Sequence, residues 1–237
     1  MSRETVTWKG RLGPFDLEVG RSTFRPTTVS KLVAEAIDVR DSDVVIDVGC
    51  GSGVLSIIAA KLGAKRVYGV DAADETVEVA TNNATAHGVA KTTRFYQGDL
   101  FDPLPSNVEA DLVIGDVSGV PDAIAVESGW FPAGLGGGPR GSELPIRMLE
   151  QAREFLKRGG RLILPTGSIQ DERSILDKAR GIFGAVRQMT EKRIPLPTAL
   201  AGSPSLLRLA QEKVISITQR GSRWLWTARI WELTAKG

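Results

Sequence analysis

Three alternating glycines form the first pattern in the sequence that points to chemistry. Gly49, Gly51 and Gly53 follow an apolar run and precede a helix-like pattern, which predicts a strand, a tight turn and a helix. Glycine permits a sharp turn and lets the backbone pass close to a ligand, because a Cβ atom there would occupy ligand space. In folds with this strand-turn-helix unit, ligands bind outside the carboxyl ends of the strands. The turn is therefore predicted to seat a small molecule.

Carboxylates are predicted at the ends of the next two strands. Asp71, with Ala72 beside it, lies 20 residues after Gly51, where it can accept hydrogen bonds from both hydroxyls of a ribose. Asp99 is placed to accept a hydrogen bond from an adenine amino group, and Leu100 to cover the ring. A ribose-bearing cofactor is therefore expected. The alternatives are that the glycines only form a turn, that Asp71 caps a helix and that Asp99 serves a local turn.

The charge near the turn distinguishes between cofactors. A dinucleotide favours the spacing G-x-G-x-x-G and brings a pyrophosphate to the helix N-terminus. Here the spacing is G-x-G-x-G, Val54 stands where the third dinucleotide glycine would fall, and Asp47 precedes the first glycine by two residues. A carboxylate aimed at the turn repels a pyrophosphate but suits an ammonium and a sulfonium. S-adenosylmethionine is the expected cofactor, and a nicotinamide dinucleotide is the competitor.

Composition excludes several classes of protein. The 237 residues are 42% hydrophobic and 24% charged with a formal charge of +2, which argues against a disordered or fibrous chain and a dedicated nucleic-acid or membrane-surface binder. No apolar run approaches the roughly 18 residues of a membrane span. One cysteine and one histidine cannot supply an internal disulfide or a usual zinc site. The opening MSRETVTWKG has no apolar leader core, so a cytoplasmic location is expected.

Turn residues and apolar runs predict alternating strands and helices from about residue 44. The predicted strands are Val44 to Val48, Arg66 to Val70, Thr92 to Gln97, Leu112 to Ile114 and Arg161 to Pro165. The predicted helices are Ser52 to Leu62, Asp74 to His87, Ser142 to Leu156, stopped by Gly159 and Gly160, and Asp171 to Phe183. The pattern is typical of an α/β fold with a doubly wound, mostly parallel, seven-stranded Rossmann-like sheet. Residues 41–237 are predicted to form this domain, and residues 1–40 a hairpin and helix extension.

The two ends of the chain have sequence patterns that differ from the alternating strands and helices of the middle. Trp8 to Val19, with a Gly-Pro turn, predicts a small hairpin. Ala185 to Ile194, Val214 to Thr218 and Trp224 to Leu233 predict strands that close the sheet in antiparallel fashion, with the tryptophans used for packing. Pro195 to Pro204 is predicted to be a loop that borders the site.

The chain resembles the class I S-adenosylmethionine-dependent methyltransferases over nearly its whole length. Val45 to Ala59, with Gly63 to Asp71, is similar to the ribosomal-protein lysine methyltransferases, and similar runs occur in protein arginine methyltransferases. Phe24 to Thr28 is similar to an Arg-Pro-Glu-Thr-Glu segment of the release-factor glutamine methyltransferases, which lies beside the cofactor, and Thr28 matches its threonine. Gly137 to Gly141 resembles their Gly-Gly-x-Asp-Gly loop. The resemblance implies the class I fold and a cofactor contact for Thr28.

The sequence departs from these relatives at the end of the fourth strand. The glutamine- and adenine-modifying relatives carry Asn/Asp-Pro-Pro-Tyr/Phe there, which holds a planar amide or amino group for attack. This chain has Asp116-Val117-Ser118-Gly119, so a planar nitrogen nucleophile is not favoured. The lysine-modifying relatives also have a separate substrate-recruiting domain, whereas about 40 residues precede the core here. A ribosomal protein is therefore not expected to be recruited in the same way.

Asp116 and Ser118 are the candidate catalytic residues. Methyl transfer from a sulfonium is an in-line displacement, so the enzyme mainly places the nucleophile and excludes water. An amine or hydroxyl nucleophile must lose a proton, which Asp116 could accept, and Ser118 could orient the substrate. The alternative is that Asp116 only contacts the cofactor or caps a turn.

These residues predict a methyltransferase that acts on a small molecule or on an exposed peptide nitrogen or oxygen. Two alternatives stay open: an enzyme that uses S-adenosylmethionine without methylating, by intramolecular cyclisation or a lyase reaction, and a non-catalytic cofactor-binding module. The Gly-rich segment Val120 to Arg140 could close as a lid with Trp130 and Phe131, or these aromatic residues could pack against the sheet. Arg140 could bind a substrate carboxylate.

Overall fold

Apolar residues on both faces place Val44–Val48 at the centre of a sheet. Val45, Ile46 and Val48 are buried, and the strand pairs in parallel with a neighbour on each side. Strands that are covered by helices on both faces need such a sequence. The structure, a computed structural model, describes residues 3–130 and 136–236.

The strands in chain order are β1 (Glu4–Trp8), β2 (Phe15–Val19), β3 (Val44–Val48), β4 (Arg66–Asp71), β5 (Thr93–Gln97), β6 (Ala110–Gly115), β7 (Leu156–Gly167), β8 (Ala185–Pro195), β9 (Thr218–Arg220) and β10 (Arg223–Thr234). The helices are α1 (Thr28–Ala36), α2 (Val54–Lys61), α3 (Thr76–Ala86), α4 (Asp122–Ser128), α5 (Glu143–Phe155), α6 (Glu172–Ile182), α7 (Thr198–Ala201) and α8 (Pro204–Gln211).

The main sheet has the strand order β5-β4-β3-β6-β7-β10-β8. The strands from β5 to β7 are parallel, and β10 runs antiparallel between β7 and β8. Strand β9 pairs with the start of β10, and β1 pairs with β2 in a separate hairpin. The predicted mostly parallel seven-stranded sheet, its antiparallel C-terminal strand and the N-terminal hairpin are confirmed.

Two glycines lie in a strand instead of ending a helix. Helix α5 ends at Phe155, because the next residue, Leu156, has extended dihedral angles. Gly159 and Gly160 therefore belong to β7, and the pairing register between β6 and β7 shifts near them. Gly159 has a φ of +68°, which an irregularity in a strand can require and which glycine adopts at little cost.

The C-terminal region differs most from the predicted pattern. Val214 and Ile215 do not begin a strand; they are buried in an apolar cluster with Leu206 and Leu209 of α8, so their apolar character reflects packing against a helix. The segment predicted to be a loop contains α7 and the start of α8, and Ser203 caps α8 by accepting a hydrogen bond from the N–H of Leu206.

Asn83 of α3 joins the N-terminal hairpin to the glycine turn. Its Oδ1 accepts a hydrogen bond from the N–H of Glu18 at 2.7 Å, and its Nδ2 donates to the carbonyl oxygens of Glu18 and Ser52 at 2.8 and 2.9 Å. The side chain is only 3% exposed. One buried amide therefore satisfies backbone groups of two separate elements.

Replacing Asn83 with alanine is expected to lower the free energy of unfolding by about 2–3 kcal/mol, because backbone groups of Glu18 and Ser52 lose their partner. Urea denaturation of the two proteins measures this change. Asn82→Ala is the matched control, since Asn82 is exposed and its change should cost less than about 1 kcal/mol. Equal effects of the two substitutions would contradict the role assigned to Asn83.

Candidate cofactor and acceptor site

The glycine turn between β3 and α2 has a left-handed backbone at each of its three glycines. The φ angles are +80° at Gly49, +49° at Gly51 and +79° at Gly53. The N–H groups of Gly49 and Cys50 both donate to the carbonyl oxygen of Val70, at 2.8 and 3.0 Å. The turn is therefore fixed to the end of β4.

The three glycines meet different neighbours. A Cβ atom at Gly49 would overlap the carbonyl oxygen of Asp116, and one at Gly53 would lie 3.1 Å from the Cβ of Ala80. Gly49 lines the cavity described below, whereas Gly51 and Gly53 do not. The left-handed dihedral angles favour glycine at all three positions, and Gly49 and Gly53 also lie close to protein atoms. Contact of Gly51 and Gly53 with a ligand stays a prediction.

Asp47 lies beneath the turn instead of pointing into the cavity. Successive side chains of a strand point to opposite faces, and Val48 lines the cavity while Asp47 is fully buried. Its Oδ2 accepts a hydrogen bond from the Ser56 hydroxyl at 2.6 Å, and its Oδ1 has no partner among the described residues. Burial raises the pKa of Asp47 to about 7. Direct contact with a ligand, expected from the sequence, is not what this position provides.

Asp71 holds the turn at the end of β4. Its Oδ2 accepts a hydrogen bond from the N–H of Gly51, and its Oδ1 accepts one from the N–H of Ala73, both at 2.9 Å. Each carboxylate oxygen keeps a lone pair, and Asp71 lines the cavity together with Ala72. The helix cap suggested as an alternative for Asp71 is not present, because α3 has Glu75 at its N-cap.

A cavity of about 900 Å³ opens at the carboxyl ends of the parallel strands. This volume is near the upper end of ligand pockets, which span roughly 300–1,000 Å³. Of the predicted site residues, those that line it are Thr28, Gly49, Asp71, Ala72, Asp99, Leu100, Asp116 and Ser118. The structure therefore brings together residues from five separate segments of the chain.

Asp99 and Leu100 form the side of the cavity that follows β5. Leu100 is 6% exposed and has a φ of +49°, which is unusual for a residue with a side chain. The Asp99 carboxylate forms an ion pair with Arg147 through Oδ2. The predicted contact with an adenine amino group would use the second carboxylate oxygen, Oδ1.

Asp116 faces the cavity from the end of β6. Burial raises the pKa of its carboxyl to about 6, and a hydrogen bond with Ser30 of α1 acts in the opposite direction. The pKa therefore lies close to neutral pH, where a carboxylate can both accept and release a proton. The charges of Asp47, Asp71 and Asp116 are near enough that the latter two raise the pKa of Asp47 further.

Several buried polar atoms at the cavity have no hydrogen-bond partner among the described residues. They are the hydroxyl oxygens of Ser22, Thr23 and Ser118 and the Nε2 of Gln170. Such atoms are rare in folded proteins unless water or a ligand satisfies them. Ser22, Thr23 and Gln170 were not predicted to belong to the site. The first two directly precede the Phe24 to Thr28 segment, which is a signal for them, whereas no sequence pattern points to Gln170.

The segment predicted to be a lid contains helix α4. Trp130 lines the cavity and packs with the apolar cluster around α8; closure of the segment as a lid stays a prediction. Phe131 lies outside the described residues. The guanidinium of Arg140 donates to Asp171 at 2.8 Å, and Arg140 does not line the cavity; its predicted role with a substrate carboxylate is not supported.

The residues present fit S-adenosylmethionine. Asp71 supplies acceptors for a ribose, Asp99 one for an adenine, and the carboxylates at the ends of β4, β5 and β6 suit a cation.

Within residues 3–130 and 136–236, no group of His, Cys, Asp and Glu could hold a metal ion. In the same ranges, no helix is long and apolar enough to cross a membrane.

The same fold is found in solved methyltransferase structures. A 16S ribosomal RNA N2-guanine methyltransferase of Thermus thermophilus, solved with S-adenosylmethionine and guanosine, superimposes with a TM-score of 0.64 at 14% identity over 99% of this chain and 51% of that one. A ribosomal protein L11 methylase of Lactobacillus delbrueckii gives 0.53 at 19% identity over 90% and 79%. A family model, ribosomal protein L11 methyltransferase, matches residues 23–118. The chain therefore has the fold of these methyltransferases, and residues 23–118 also resemble the ribosomal protein L11 methyltransferase family in sequence.

Curated relatives point to two kinds of methyltransferase. A ribosomal protein L11 methyltransferase of Exiguobacterium sibiricum is 33% identical over 153 residues, which are 65% of this chain and 48% of the relative. A putative protein N5-glutamine methyltransferase of Methanocaldococcus jannaschii is 26% identical over 164 residues, which are 69% of this chain and 81% of the relative. The chain spans about half or less of the length of the ribosomal-protein relatives that it matches.

Replacing Asp71 with alanine is expected to weaken binding of S-adenosylhomocysteine at least about tenfold, because the variant loses carboxylate hydrogen bonds to a ribose and to the turn. Isothermal titration calorimetry measures the affinity, and circular dichroism checks folding. Asp74→Ala is the matched control, since Asp74 accepts a hydrogen bond from the Gln97 side chain at 2.9 Å and does not line the cavity. Unchanged affinity in the Asp71 variant would rule out the ribose contact.

Proposed function

We propose that the protein transfers the methyl group of S-adenosylmethionine to a nitrogen or oxygen atom of a small molecule or of an exposed peptide group. The observation that supports this is the position of Asp116, a carboxylate with a pKa near 6, which faces the same cavity as the glycine turn and Asp71. A proton acceptor thus lies beside the place for the cofactor.

The proposed cofactor contacts come from the cavity-lining residues. Asp71 would accept hydrogen bonds from the ribose, Asp99 one from the adenine amino group, and Leu100 would cover the ring. Thr28 and the backbone at Gly49 and Ala72 border the same space. When bound, S-adenosylmethionine supplies an electrophilic methyl group and a sulfonium leaving group. Gly51 and Gly53 contribute by shaping the turn, and Asp47 by its charge beneath it.

Asp116 and Ser118 are proposed to act on the acceptor. Asp116 accepts the proton that an amine or hydroxyl loses as it attacks, and the buried Ser118 hydroxyl orients the acceptor by a hydrogen bond. Closure of the cavity against water and alignment of the nucleophile provide the rest of the rate enhancement. The relatives act on ribosomal protein L11 and on protein glutamine, so a protein acceptor agrees with them.

Product analysis tests the proposed reaction. The protein is incubated with S-adenosylmethionine labelled in its methyl group, and with the metabolite, protein and RNA fractions of a bacterial extract in turn. Formation of S-adenosylhomocysteine together with label in metabolites or protein supports the proposal. Label in RNA alone, methylthioadenosine without a methylated product, or no turnover with any fraction would overturn it.

Replacing Asp116 with asparagine is expected to lower the rate of methyl transfer by about 100-fold or more, because the proton acceptor is lost. Affinity for S-adenosylhomocysteine should stay within about threefold, since an amide oxygen still accepts hydrogen bonds. The labelled-methyl assay and calorimetry measure the two quantities. Asp102→Asn, at an exposed position, should keep the original rate. A full rate in the Asp116 variant excludes it as the base.

Cofactor affinity is expected to depend on pH. A bound sulfonium favours the ionised forms of Asp116 and Asp47, whose pKa values burial raises to about 6 and about 7, so binding releases protons. Affinity therefore rises between about pH 5 and pH 7 and levels off above. S-adenosylmethionine should gain about tenfold more over this range than S-adenosylhomocysteine, which lacks the charge. Equal gains, measured by calorimetry, would contradict the electrostatic account.

A further inference from the structure

The part of the cavity beyond Asp116 is uncharged. Among the described residues that line the cavity, those that follow Asp116 in the sequence include no acidic or basic side chain. We call this part the acceptor half. It lies at the ends of β6 and β7 and continues to the ends of β8 and β10. The charged side chains of the cavity lining belong to residues 3–25 and to Asp71, Asp99 and Asp116. The acceptor half itself therefore supplies no opposite charge to compensate an ionic group for its loss of water.

Gln170 places an unpartnered amide in the acceptor half. The side chain is 6% exposed, and its Nε2 has no hydrogen-bond partner among the described residues. The amide lies over Gly119, where a Cβ atom would come within 2.6 Å of the Gln170 Oε1. A buried donor without a partner is costly, so the Nε2 group is poised for an acceptor atom supplied from the cavity.

The backbone around Gln170 is held in place. The N–H of Gln170 donates to the carbonyl of Gly167 at 3.2 Å, and Ser168 exchanges hydrogen bonds with Thr227 of β10 at 2.8 and 3.0 Å. Ile169 is buried in the apolar cluster next to the site. The turn that presents the amide is therefore anchored to β10 through Ser168.

The other polar groups nearby already have partners. The Thr166 hydroxyl donates to Glu172 at 2.6 Å and accepts a hydrogen bond from the indole N–H of Trp231 at 2.8 Å. The Arg140 guanidinium binds Asp171. Gln170 and Ser118 are thus the side chains of the acceptor half, among the described residues, whose buried polar atoms need a partner.

Trp226 provides an aromatic wall for the same space. Gly167 at the end of β7 makes room for its indole, since a Cβ atom there would lie 2.5 Å from the ring. Trp226 lines the cavity together with Ile169 and Pro195. Aromatic and proline side chains bind flat apolar groups well because they offer large, rigid surfaces.

We propose that Gln170 is a specificity-determining residue that binds a neutral carboxamide or ring carbonyl on the acceptor molecule, beside the Trp226 wall. This inference rests on the proposed function. The Nε2 of Gln170 donates to the carbonyl oxygen, and the absence of charged side chains from the described residues of the acceptor half selects against carboxylates. The carbonyl is a recognition group, distinct from the nucleophilic atom next to Asp116.

Fragment binding tests the proposal in the presence of saturating S-adenosylhomocysteine. The probes are benzamide, its anionic isostere benzoate, and N-methylacetamide, which represents a peptide. The readout is the side-chain amide resonance of Gln170 in a ¹H–¹⁵N spectrum, assigned from the Gln170→Ala variant. We expect benzamide, added at about 10 mM, to shift this resonance, since small fragments bind in this concentration range. Benzamide should bind about tenfold more tightly than benzoate.

Variants connect the effect to Gln170. Because the Gln170→Ala variant lacks this resonance, binding to the variants is followed through the indole N–H resonance of Trp226, which lines the same cavity. Gln170→Ala should weaken benzamide binding about fivefold, and Gln188→Ala, at an exposed position, should leave it unchanged. A resonance that does not move, benzoate binding equal to benzamide, or no loss in the Gln170→Ala variant overturns the inference. A stronger response to N-methylacetamide supports amide recognition and assigns the group to a peptide. Failure of S-adenosylhomocysteine to bind at all refutes the proposed function instead.

Discussion

The site depends on the contact between the glycine turn and the ends of its neighbouring strands. The N–H groups of the turn donate hydrogen bonds to Val70 and Asp71 of β4. On the other side, Gly49 lies directly against the carbonyl of Asp116, which follows β6. Three strand ends are thereby fixed relative to one another. The carboxylates that follow β4 and β6 take their positions from this contact, and so does the cavity between them.

The carboxylates act together because they share a poorly solvated space. Asp47 cannot leave the interior, and the charges of Asp116 and Asp71 make its ionised form still less favourable. A pyrophosphate would add to this repulsion, whereas a sulfonium relieves it. The proposed preference for a cationic nucleoside therefore rests on the whole group of acids, including one that does not line the cavity, and not on a single ion pair.

The sequence predicts the parts of the fold that rest on local patterns. Continuous apolar runs such as Val44–Val48 and glycines at helix starts identify the parallel strands and the turn, and the spacing to Asp71 identifies the ribose side of the site. Elsewhere, contacts between residues remote in sequence determine the structure, and local patterns do not predict them. Val214 and Ile215 begin a segment predicted to be a strand but pack on α8. Gln170 lines the cavity over Gly119, which is remote in sequence and leaves space for its amide.

Asn83 has a consequence for how this domain can vary. Its single side chain holds both the hairpin strand β2 and the carbonyl of Ser52 in the turn, so the segment before the sheet and the floor of the ligand crevice share one support. A hairpin exchanged between related enzymes would therefore have to keep backbone partners for Asn83. Among the described residues, the loops after β6 and β7 share no such support with the hairpin, so they can vary without this constraint.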